Sequence, residues 1–293
     1  MLDPARVVEH LRVEPGRRVL VPRDFDPADT CGIAGEDEAV PQLRHDLEQI
    51  AKYHDRLAAQ ATHGILLVLQ ALDAAGKDGT IKHVMSGLNP SFVRVCSFKV
   101  PSVEEVMHTW LWRYSSRTPE RGSLGIFNRS HYEEVLVVRV HAELLERQRL
   151  PATTRGARIW ARRYEDINAF ERHLVENGIR VVKVFLNISR DEQRRRFLER
   201  IDNPRKNWKF SAADARERRF WDDYMHAYSE ALSHTSTEWA PWHVIPADHK
   251  WFSRLAVSAL LLDTLRDIDP HYPTPTPEQM QELAAARAEL EAE

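Results

Sequence analysis

The fold of this chain is set largely by residues 65–84, which read ILLVLQALDAAGKDGTIKHV. An apolar run is followed by a loop containing two glycines and then by a helical pattern. This is the context in which backbone N–H groups converge on phosphate oxygens at a helix N-terminus. The loop departs twice from the common pattern G-x-x-x-x-G-K-[ST], since Ala71 replaces the first glycine and Asp78 replaces the hydroxyl residue.

We predict that this segment still binds phosphate. Gly76 and Gly79 permit close approach of the backbone, Lys77 adds a mobile positive charge, and the helix that begins there adds its dipole. Alanine at position 71 would cost about 1–2 kcal/mol in a left-handed conformation and nothing as the last extended residue of the strand. The alternative is a solvent-facing turn between a strand and a helix.

The missing hydroxyl at position 78 affects the expected metal site, because that hydroxyl usually binds magnesium. We expect Asp73 to provide a carboxylate instead, with Thr80 as a displaced hydroxyl. Magnesium commonly binds one or two carboxylates together with phosphate oxygens and water. The expected cofactor is therefore Mg²⁺, for which Mn²⁺ could substitute.

Apolar or β-branched runs alternate with amphipathic segments along the rest of the chain, which indicates βαβ units and a mostly parallel sheet covered by helices on both faces. The five predicted strands are residues 65–70, 92–98, 123–128, 180–188 and 242–246. The predicted helices are residues 77–87, 102–113, 158–177, 190–202, 211–233 and 250–268, and another precedes the first strand.

We divide the chain into three parts. Residues 1–60 form a polar, poorly patterned N-terminal arm that ends in a helix, and residues 61–270 form the phosphate-binding domain. Residues 271–293 form a proline-containing linker and a charged helical tail with little apolar surface to bury. No export signal or long uncharged apolar run is present, so we expect a cytoplasmic protein that does not enter a membrane.

Positive charge is concentrated in one segment. The whole chain has a net charge of -3, which argues against general nucleic-acid binding, whereas residues 190–219 alone carry +5. Such an excess indicates either a solvated helix surface or an anionic partner. The aromatic residues in and after this segment, Trp208 among them, are interpreted as packing residues.

A second motif lies in GSLGIFNRSHYEEVLVVRVH, residues 122–141. Arg129 follows the predicted strand directly, so its side chain should reach the phosphate-binding crevice. A guanidinium group suits bidentate contact with phosphate oxygens.

Together with LQALDAAGKDGTIKHVMSGLNP, SFKVPS, NWKFSAADARERRFWDDYMHAYSEAL and APWHVIPADHKW, this motif resembles the polyphosphate kinase 2 family over about residues 20–270. The resemblance implies a thymidylate-kinase-like P-loop fold, that is, a three-layer α/β/α arrangement with a parallel five-stranded sheet and a helical lid at residues 189–219. It also implies magnesium-dependent transfer of the terminal phosphate of inorganic polyphosphate to a nucleotide, in the subgroup that phosphorylates AMP and ADP to ADP and ATP. We expect a homo-oligomer.

The resemblance carries over to individual residues. It assigns Asp73 to the metal and catalysis, Lys77 and Arg129 to catalysis, and the loop residues Ala75, Gly76, Asp78, Gly79 and Thr80 to phosphate binding. Asn128 stands where other members carry aspartate, and Glu133 stands where they carry asparagine. We therefore include both as catalytic candidates and relate the exchange to acceptance of a nucleoside monophosphate.

Polyphosphate carries about one negative charge per phosphate, so it needs a basic track, as a nucleic-acid backbone does. The candidate track residues are Lys99, Arg113, Arg117, Arg121, Arg194, Arg195, Arg200, Lys206, Lys209 and Arg218. Pairing with neighbouring acids on a solvated helix is the alternative for about half of them.

Two other functions remain open on the residues alone. An ATP-dependent nucleoside or nucleotide kinase could use the same scaffold, and a non-catalytic polyanion-binding protein could use the same basic helices. The histidines, including His131, show no ligand spacing, and a phosphohistidine intermediate belongs to a different type of polyphosphate kinase.

Overall fold

The computed structural model describes residues 4–293 and contains one six-stranded sheet in the order β1-β6-β5-β2-β4-β3. The strands are β1 (Arg12–Val13), β2 (Gly64–Ala71), β3 (Val93–Ser97), β4 (Leu124–Asn128), β5 (Ile179–Asn187) and β6 (Trp242–Pro246). All neighbours run parallel except β1, which is antiparallel to β6. The predicted parallel sheet is confirmed, but its predicted count of five strands was one too low.

The helices surround this sheet, and two groups of them pack together. In the first group α13 contacts α1, α3 and α4, and in the second α12 contacts α7 and α9. The helices are α1 (Pro4–Leu11), α2 (Val21–Asp24), α3 (Glu36–Gln60), α4 (Lys77–Val84), α5 (Val103–Met107), α6 (Trp112–Ser115), α7 (Val137–Val140), α8 (Ala142–Glu146), α9 (Ile159–Glu176), α10 (Arg190–Asp202), α11 (Ala212–Glu217), α12 (Trp221–Thr235), α13 (Lys250–Ile268) and α14 (Pro277–Glu291).

Strand β2 forms the centre of the sheet because its neighbours β4 and β5 cover both of its edges. All its residues except Ala71 are buried, as expected for a parallel strand with helices on both faces. The carboxyl ends of the parallel strands meet at one edge of the sheet. The loop after β2 therefore lies beside the segment after β4.

The N-terminal arm is more ordered than its sequence pattern indicates. Val13 is fully buried, and its carbonyl accepts a hydrogen bond of 2.5 Å from Ser236 Oγ. The N–H groups of Val19 and Val21 donate to hydroxyls of α12, at 2.9 and 3.0 Å. A two-residue strand is too short to produce a periodic signal, so tertiary contacts define it.

Two predicted helices are interrupted in the structure. The predicted helix at 102–113 begins at a capping box between Ser102 and Glu105 and ends at Met107, because His108 is extended. The predicted helix at 211–233 is divided by a 3-10 turn at Arg218–Phe220. Helices α10 and α13 have the predicted bounds, and the Ser189 side chain caps α10.

The C-terminal segment contains α14, all of whose residues are exposed. No helix of residues 4–293 combines the length and apolar character needed to cross a bilayer.

The buried histidine of β6 should make stability depend on pH. Burial lowers the pKa of His243 to about 4, whereas in the unfolded chain the imidazole titrates near 6.5. The folded pKa is the lower one, so the contribution of the neutral imidazole to stability is complete above the unfolded pKa. That contribution is lost as the pH falls towards the folded pKa. Between these two values, we expect the titration of His243 to lower the free energy of unfolding by about 1.4 kcal/mol for each unit by which the pH falls.

Urea unfolding at pH 7.5, 6 and 5 measures this slope for the wild type and for His243→Gln, which does not titrate. The free energy of unfolding of the variant should depend less on pH over this range. Equal slopes for the two proteins would show that His243 does not cause the pH dependence.

Candidate active site

The loop between β2 and α4 has the geometry of a phosphate-binding loop. Ala71 is the last residue of β2, so its replacement of glycine costs nothing. The left-handed conformations occur instead at Ala74, with φ 64°, and at Gly76, with φ 115°. A Cβ atom on Gly76 would also lie 3.7 Å from Nη1 of Arg196.

Lys77 is the first residue of α4 and folds back over the loop. Its Nζ donates to the carbonyl oxygens of Ala71 at 2.7 Å and Leu72 at 3.3 Å. Burial and the nearby Arg129 lower the pKa of Lys77, against the attraction of surrounding carboxylates. The ammonium is therefore positioned at the end of the central strand, close to the loop amides.

Arg129 connects the two sequence motifs. It follows β4 with a left-handed φ of 65°, a conformation that is uncommon for residues other than glycine. Its Nη2 lies 3.1 Å from Asp73 Oδ1, and its Nη1 lies 3.5 Å from Glu133 Oε2. Non-glycine residues in this conformation often occur at functional sites. The geometry thus brings together three of the predicted catalytic residues.

Glu133 is held by Gln70, a polar residue in the otherwise apolar β2. In the amide orientation that satisfies its neighbours, Gln70 donates to Glu133 Oε1 at 3.0 Å and accepts from both the N–H and the hydroxyl of Ser130. Burial raises the pKa of Glu133, although Arg129 and Lys77 oppose this shift. Sequence reasoning missed Gln70; the only signal was a polar side chain at the end of an apolar run.

The other residues of the two motifs have different positions. Asn128 Nδ2 donates to Asp78 Oδ1 at 2.9 Å, so these two unusual residues pair with each other. Gly79 lines the main cavity with Gly76. Ala75 is buried at the base of the loop, and Thr80 is also buried, with 3% of its surface exposed. The expected use of Thr80 as a displaced metal ligand is not supported, because its hydroxyl does not line the cavity.

A cavity of about 840 Å³ opens beside the loop. Its lining includes polar groups of both motifs and apolar residues such as Phe98, Val106 and Val138. A smaller cavity of about 110 Å³ lies towards the lid and is lined by Arg218, Tyr224 and Tyr228 among others. Five residues line both cavities and mark their junction, namely Asp73, Arg129, Glu133, Val137 and Asp214.

The floor of the main cavity includes a polar network that sequence reasoning missed. Glu134 accepts from Tyr114 Oη at 3.3 Å and from Gln148 Nε2 at 2.5 Å. Arg163 Nη1 donates to the Glu134 carbonyl at 2.6 Å, and Arg163 also donates to Gln148. Glu134 immediately follows Glu133, but nothing in the sequence distinguished its role from that of a surface acid.

The candidate track residues outside the lid fall into two groups. Lys99 and Arg113 line the main cavity, and Arg113 Nη2 donates to the Lys99 carbonyl at 2.9 Å. Arg121 instead precedes β4 and donates to the Asn177 carbonyl, which precedes β5. It therefore lies at the amino ends of the strands, opposite the phosphate loop. Arg117 is exposed on the preceding turn and lines neither of the two cavities. The structure does not bring Arg117 or Arg121 to the site.

The lid residues are also divided. Arg200 and Trp208 line the main cavity, and Arg218 lines the smaller one. Trp208 is 78% exposed, so its interpretation as a packing residue was wrong. Arg194 is exposed, while Arg195 pairs with Glu192 and Lys206 pairs with Glu199. The Lys209 side chain lies outside the described part of the structure.

A buried charged network supports the second motif from behind. Lys183 Nζ lies 2.6 Å from Glu171 Oε2, and both side chains are fully buried. Glu171 Oε1 also accepts from Tyr132 Oη at 2.8 Å and contacts His131 Nε2 at 3.1 Å. Burial raises the pKa of Glu171, but Lys183 and His131 outweigh it and bring that pKa below its ordinary value. His131 is thus a buried structural partner rather than an accessible nucleophile.

The donors around the loop fit a hard cation. Asp73 lines both cavities. Arg129 donates a hydrogen bond to its Oδ1, and the described side chains donate none to its Oδ2. Carboxylate oxygens are ligands that Mg²⁺ prefers, and the ion commonly binds one or two of them together with phosphate oxygens and water.

Comparisons with known proteins agree with this geometry. The family model described as polyphosphate kinase 2 matches residues 34–273. The chain is 50% identical over 249 residues to an ADP-polyphosphate phosphotransferase from Rhodopseudomonas palustris, with 85% of this chain and 86% of the relative covered. It is 46% identical over 265 residues to an AMP/ADP-polyphosphate phosphotransferase from Meiothermus ruber, with 90% and 95% covered.

A solved structure supports the same fold. The crystal structure of polyphosphate kinase 2 from Arthrobacter aurescens TC1 matches with a TM-score of 0.87 at 40% identity. The match covers 98% of this chain and 97% of that one.

Proposed function

This chain belongs to the polyphosphate kinase 2 family, and we propose that it transfers the terminal phosphate of inorganic polyphosphate to AMP and ADP, forming ADP and ATP reversibly. The observation that carries this proposal is the junction of two cavities at Asp73, Arg129 and Glu133. One cavity is large enough for a nucleotide, and its apolar part suits a base. The other opens towards the basic lid.

The residues at the junction can stabilise a transferring phosphoryl group. Phosphoryl transfer has a loose transition state, so the protein mainly positions the reactants and neutralises charge. The loop amides and Lys77 hold phosphate oxygens at one side, while Arg129 contacts the transferring group or the acceptor. The acceptor phosphate oxygen is already ionised near neutral pH, so no strong general base is required.

Asp73 is the residue that would hold Mg²⁺. The bound ion would neutralise phosphate charge and orient the oxygens. The arginine beside Asp73 restricts the orientation of its carboxylate, since Nη2 contacts Oδ1 at 3.1 Å. Arg200 and Arg218 are the lid cations best placed to guide polyphosphate, because both line the cavities. We place the reaction in the cytoplasm and expect a homo-oligomer.

A direct assay tests this proposal. The purified chain is incubated with polyphosphate and Mg²⁺ and with either AMP or ADP, and ADP and ATP are quantified over time. We expect polyphosphate-dependent formation of both products. Turnover only with ATP as the donor would instead support a nucleoside or nucleotide kinase, and polyphosphate binding without product would support a non-catalytic protein.

Replacing Glu133 with asparagine should alter the choice of acceptor. The half-buried carboxylate of Glu133 adds negative charge beside Arg129, where ADP would bring one more phosphate than AMP. Glu133→Asn removes that charge, so the AMP to ADP ratio of kcat/KM should fall by about tenfold, equivalent to about 1.4 kcal/mol.

The matched control is Glu146→Asn, the same change at an exposed position of α8. It should leave the ratio unaltered. An unaltered ratio in Glu133→Asn as well would refute the assignment of acceptor choice to Glu133.

A further inference from the structure

Two buried side chains of α10 hold the phosphate loop by its backbone. Gln193 and Arg196 are only 4% and 3% exposed. Gln193 Nε2 donates to the Asp73 carbonyl at 2.9 Å. Arg196 Nη1 donates to the carbonyls of Ala74 at 3.1 Å and Ala75 at 2.8 Å. Three consecutive carbonyls of the loop thus accept hydrogen bonds from one helix.

The remaining donors of Arg196 are also used. Its Nη2 donates to the carbonyls of Ala247 at 2.6 Å and Asp248 at 3.0 Å, and its Nε donates to Glu192 Oε1 at 2.6 Å. All five N–H groups of the guanidinium therefore have acceptors, and its planar shape fixes their directions. Residues 247 and 248 follow β6, so Arg196 joins the loop after β2 to the loop after β6.

These contacts determine where the loop amides point. In a planar trans peptide, a carbonyl and the N–H of the next residue point in opposite directions. Because the carbonyls of Asp73 and Ala75 face α10, the N–H groups of Ala74 and Gly76 face the other way. Both residues line the main cavity, and neither N–H has a protein acceptor in the described part of the chain. They are oriented to receive phosphate oxygens.

The same helix, which forms the first part of the lid, also contacts Arg218 near the end of the lid. Gln193 Oε1 accepts from Arg218 Nη1 at 2.6 Å, and Arg218 also donates to the Arg190 carbonyl at 3.0 Å. The side-chain amide of Gln193 thus accepts from Arg218 and donates to the backbone of Asp73. A change in the position of Arg218 would therefore be transmitted to Asp73, which lines both cavities.

We propose that Gln193 and Arg196 are positioning residues for phosphoryl transfer. Arg196 fixes the orientation of the loop amides, and Gln193 couples that orientation to the position of Arg218 near the end of the lid. The inference rests on the proposed function for the identity of the bound anion. It requires the shape of a guanidinium at position 196, since a lysine ammonium keeps the charge but cannot reach four carbonyls in two directions.

The test compares Arg196→Lys with Arg172→Lys, the same change at an exposed position of α9. We expect Arg196→Lys to lower kcat by about 10- to 100-fold, because the amides lose their alignment with the transferring group. Hydrogen exchange at the Ala75 amide, which donates to the Leu72 carbonyl at 3.3 Å, should become faster by at least about tenfold, while exchange in β5 stays unchanged. If Arg196→Lys does not fold, Gln193→Met, which alters no charge, carries the same measurements.

A kcat and a loop exchange rate equal to those of the control would overturn the proposal. So would additive losses in Gln193→Met and Arg218→Met, because coupling through one amide requires the double variant to lose less than the sum. If the wild type forms no product from polyphosphate, the proposed function fails. Loop exchange, with inorganic tripolyphosphate as a binding probe, then still tests the positioning role by itself.

Discussion

Lys77→Met is expected to lower kcat by about 10³-fold, equivalent to about 4 kcal/mol of transition-state stabilisation. Methionine keeps the length of the side chain but removes the positive charge at the end of β2. In the structure that charge contacts the carbonyls of Ala71 and Leu72. Burial lowers the pKa of Lys77, and the nearby carboxylates of Asp73 and Glu133 oppose this shift. No other lysine of α4 lines the main cavity.

The control for this variant is Lys82→Met, which makes the same change on the exposed face of α4. Initial rates with saturating polyphosphate and ADP give kcat for both variants, and circular dichroism checks that each is folded. We expect Lys82→Met to retain the wild-type rate. A folded Lys77→Met protein with kcat within about tenfold of the wild type would contradict a role for this ammonium in stabilising the transferring group.

Lys183→Met should lower the free energy of unfolding by about 3–5 kcal/mol. The change removes the counter-charge of Glu171 while leaving this carboxylate fully buried. An isolated charge in the interior has a large desolvation penalty that its remaining hydrogen bonds to Tyr132 and His131 do not offset. Urea unfolding at pH 7.5 measures the loss.

A double variant distinguishes loss of charge balance from loss of packing. Lys183→Met combined with Glu171→Gln leaves no uncompensated charge, so it should recover part of the lost stability. If the single variant is within about 1 kcal/mol of the wild type, the pair does not stabilise the fold. If the double variant is no more stable than the single one, packing of the lysine is the dominant contribution.

The sequence was sufficient to predict the central strand, the phosphate loop and the segment that carries Arg129. These features follow from local patterns, because each involves an apolar run that leads directly into a functional segment. The run of β2 leads into the phosphate loop, and the run of β4 leads into Arg129. The same reasoning correctly predicted that Ala71 can replace the usual glycine, since the last residue of a strand does not need a left-handed backbone. It could not show that a second residue of the loop besides Gly76, namely Ala74, adopts a left-handed conformation.

The contributions of Gln70, Gln193 and Arg196 were not predictable in this way. Each acts through a backbone or side-chain partner that is distant in sequence, and on its own element each resembles an ordinary polar residue. The opposite error occurred at Arg121, whose charge indicated phosphate binding although it precedes its strand and so lies at the wrong edge of the sheet. The direction of a strand, and not its charge pattern, decides which end reaches the site.

Crystals soaked with a short polyphosphate test most directly whether the loop around Gly76 binds the donor. We expect density for a terminal phosphate within hydrogen-bonding distance of the loop amides and Lys77, with the chain continuing towards Arg200 or Arg218. Density for the polyanion elsewhere, with this loop free of phosphate at saturating concentration, would contradict the account.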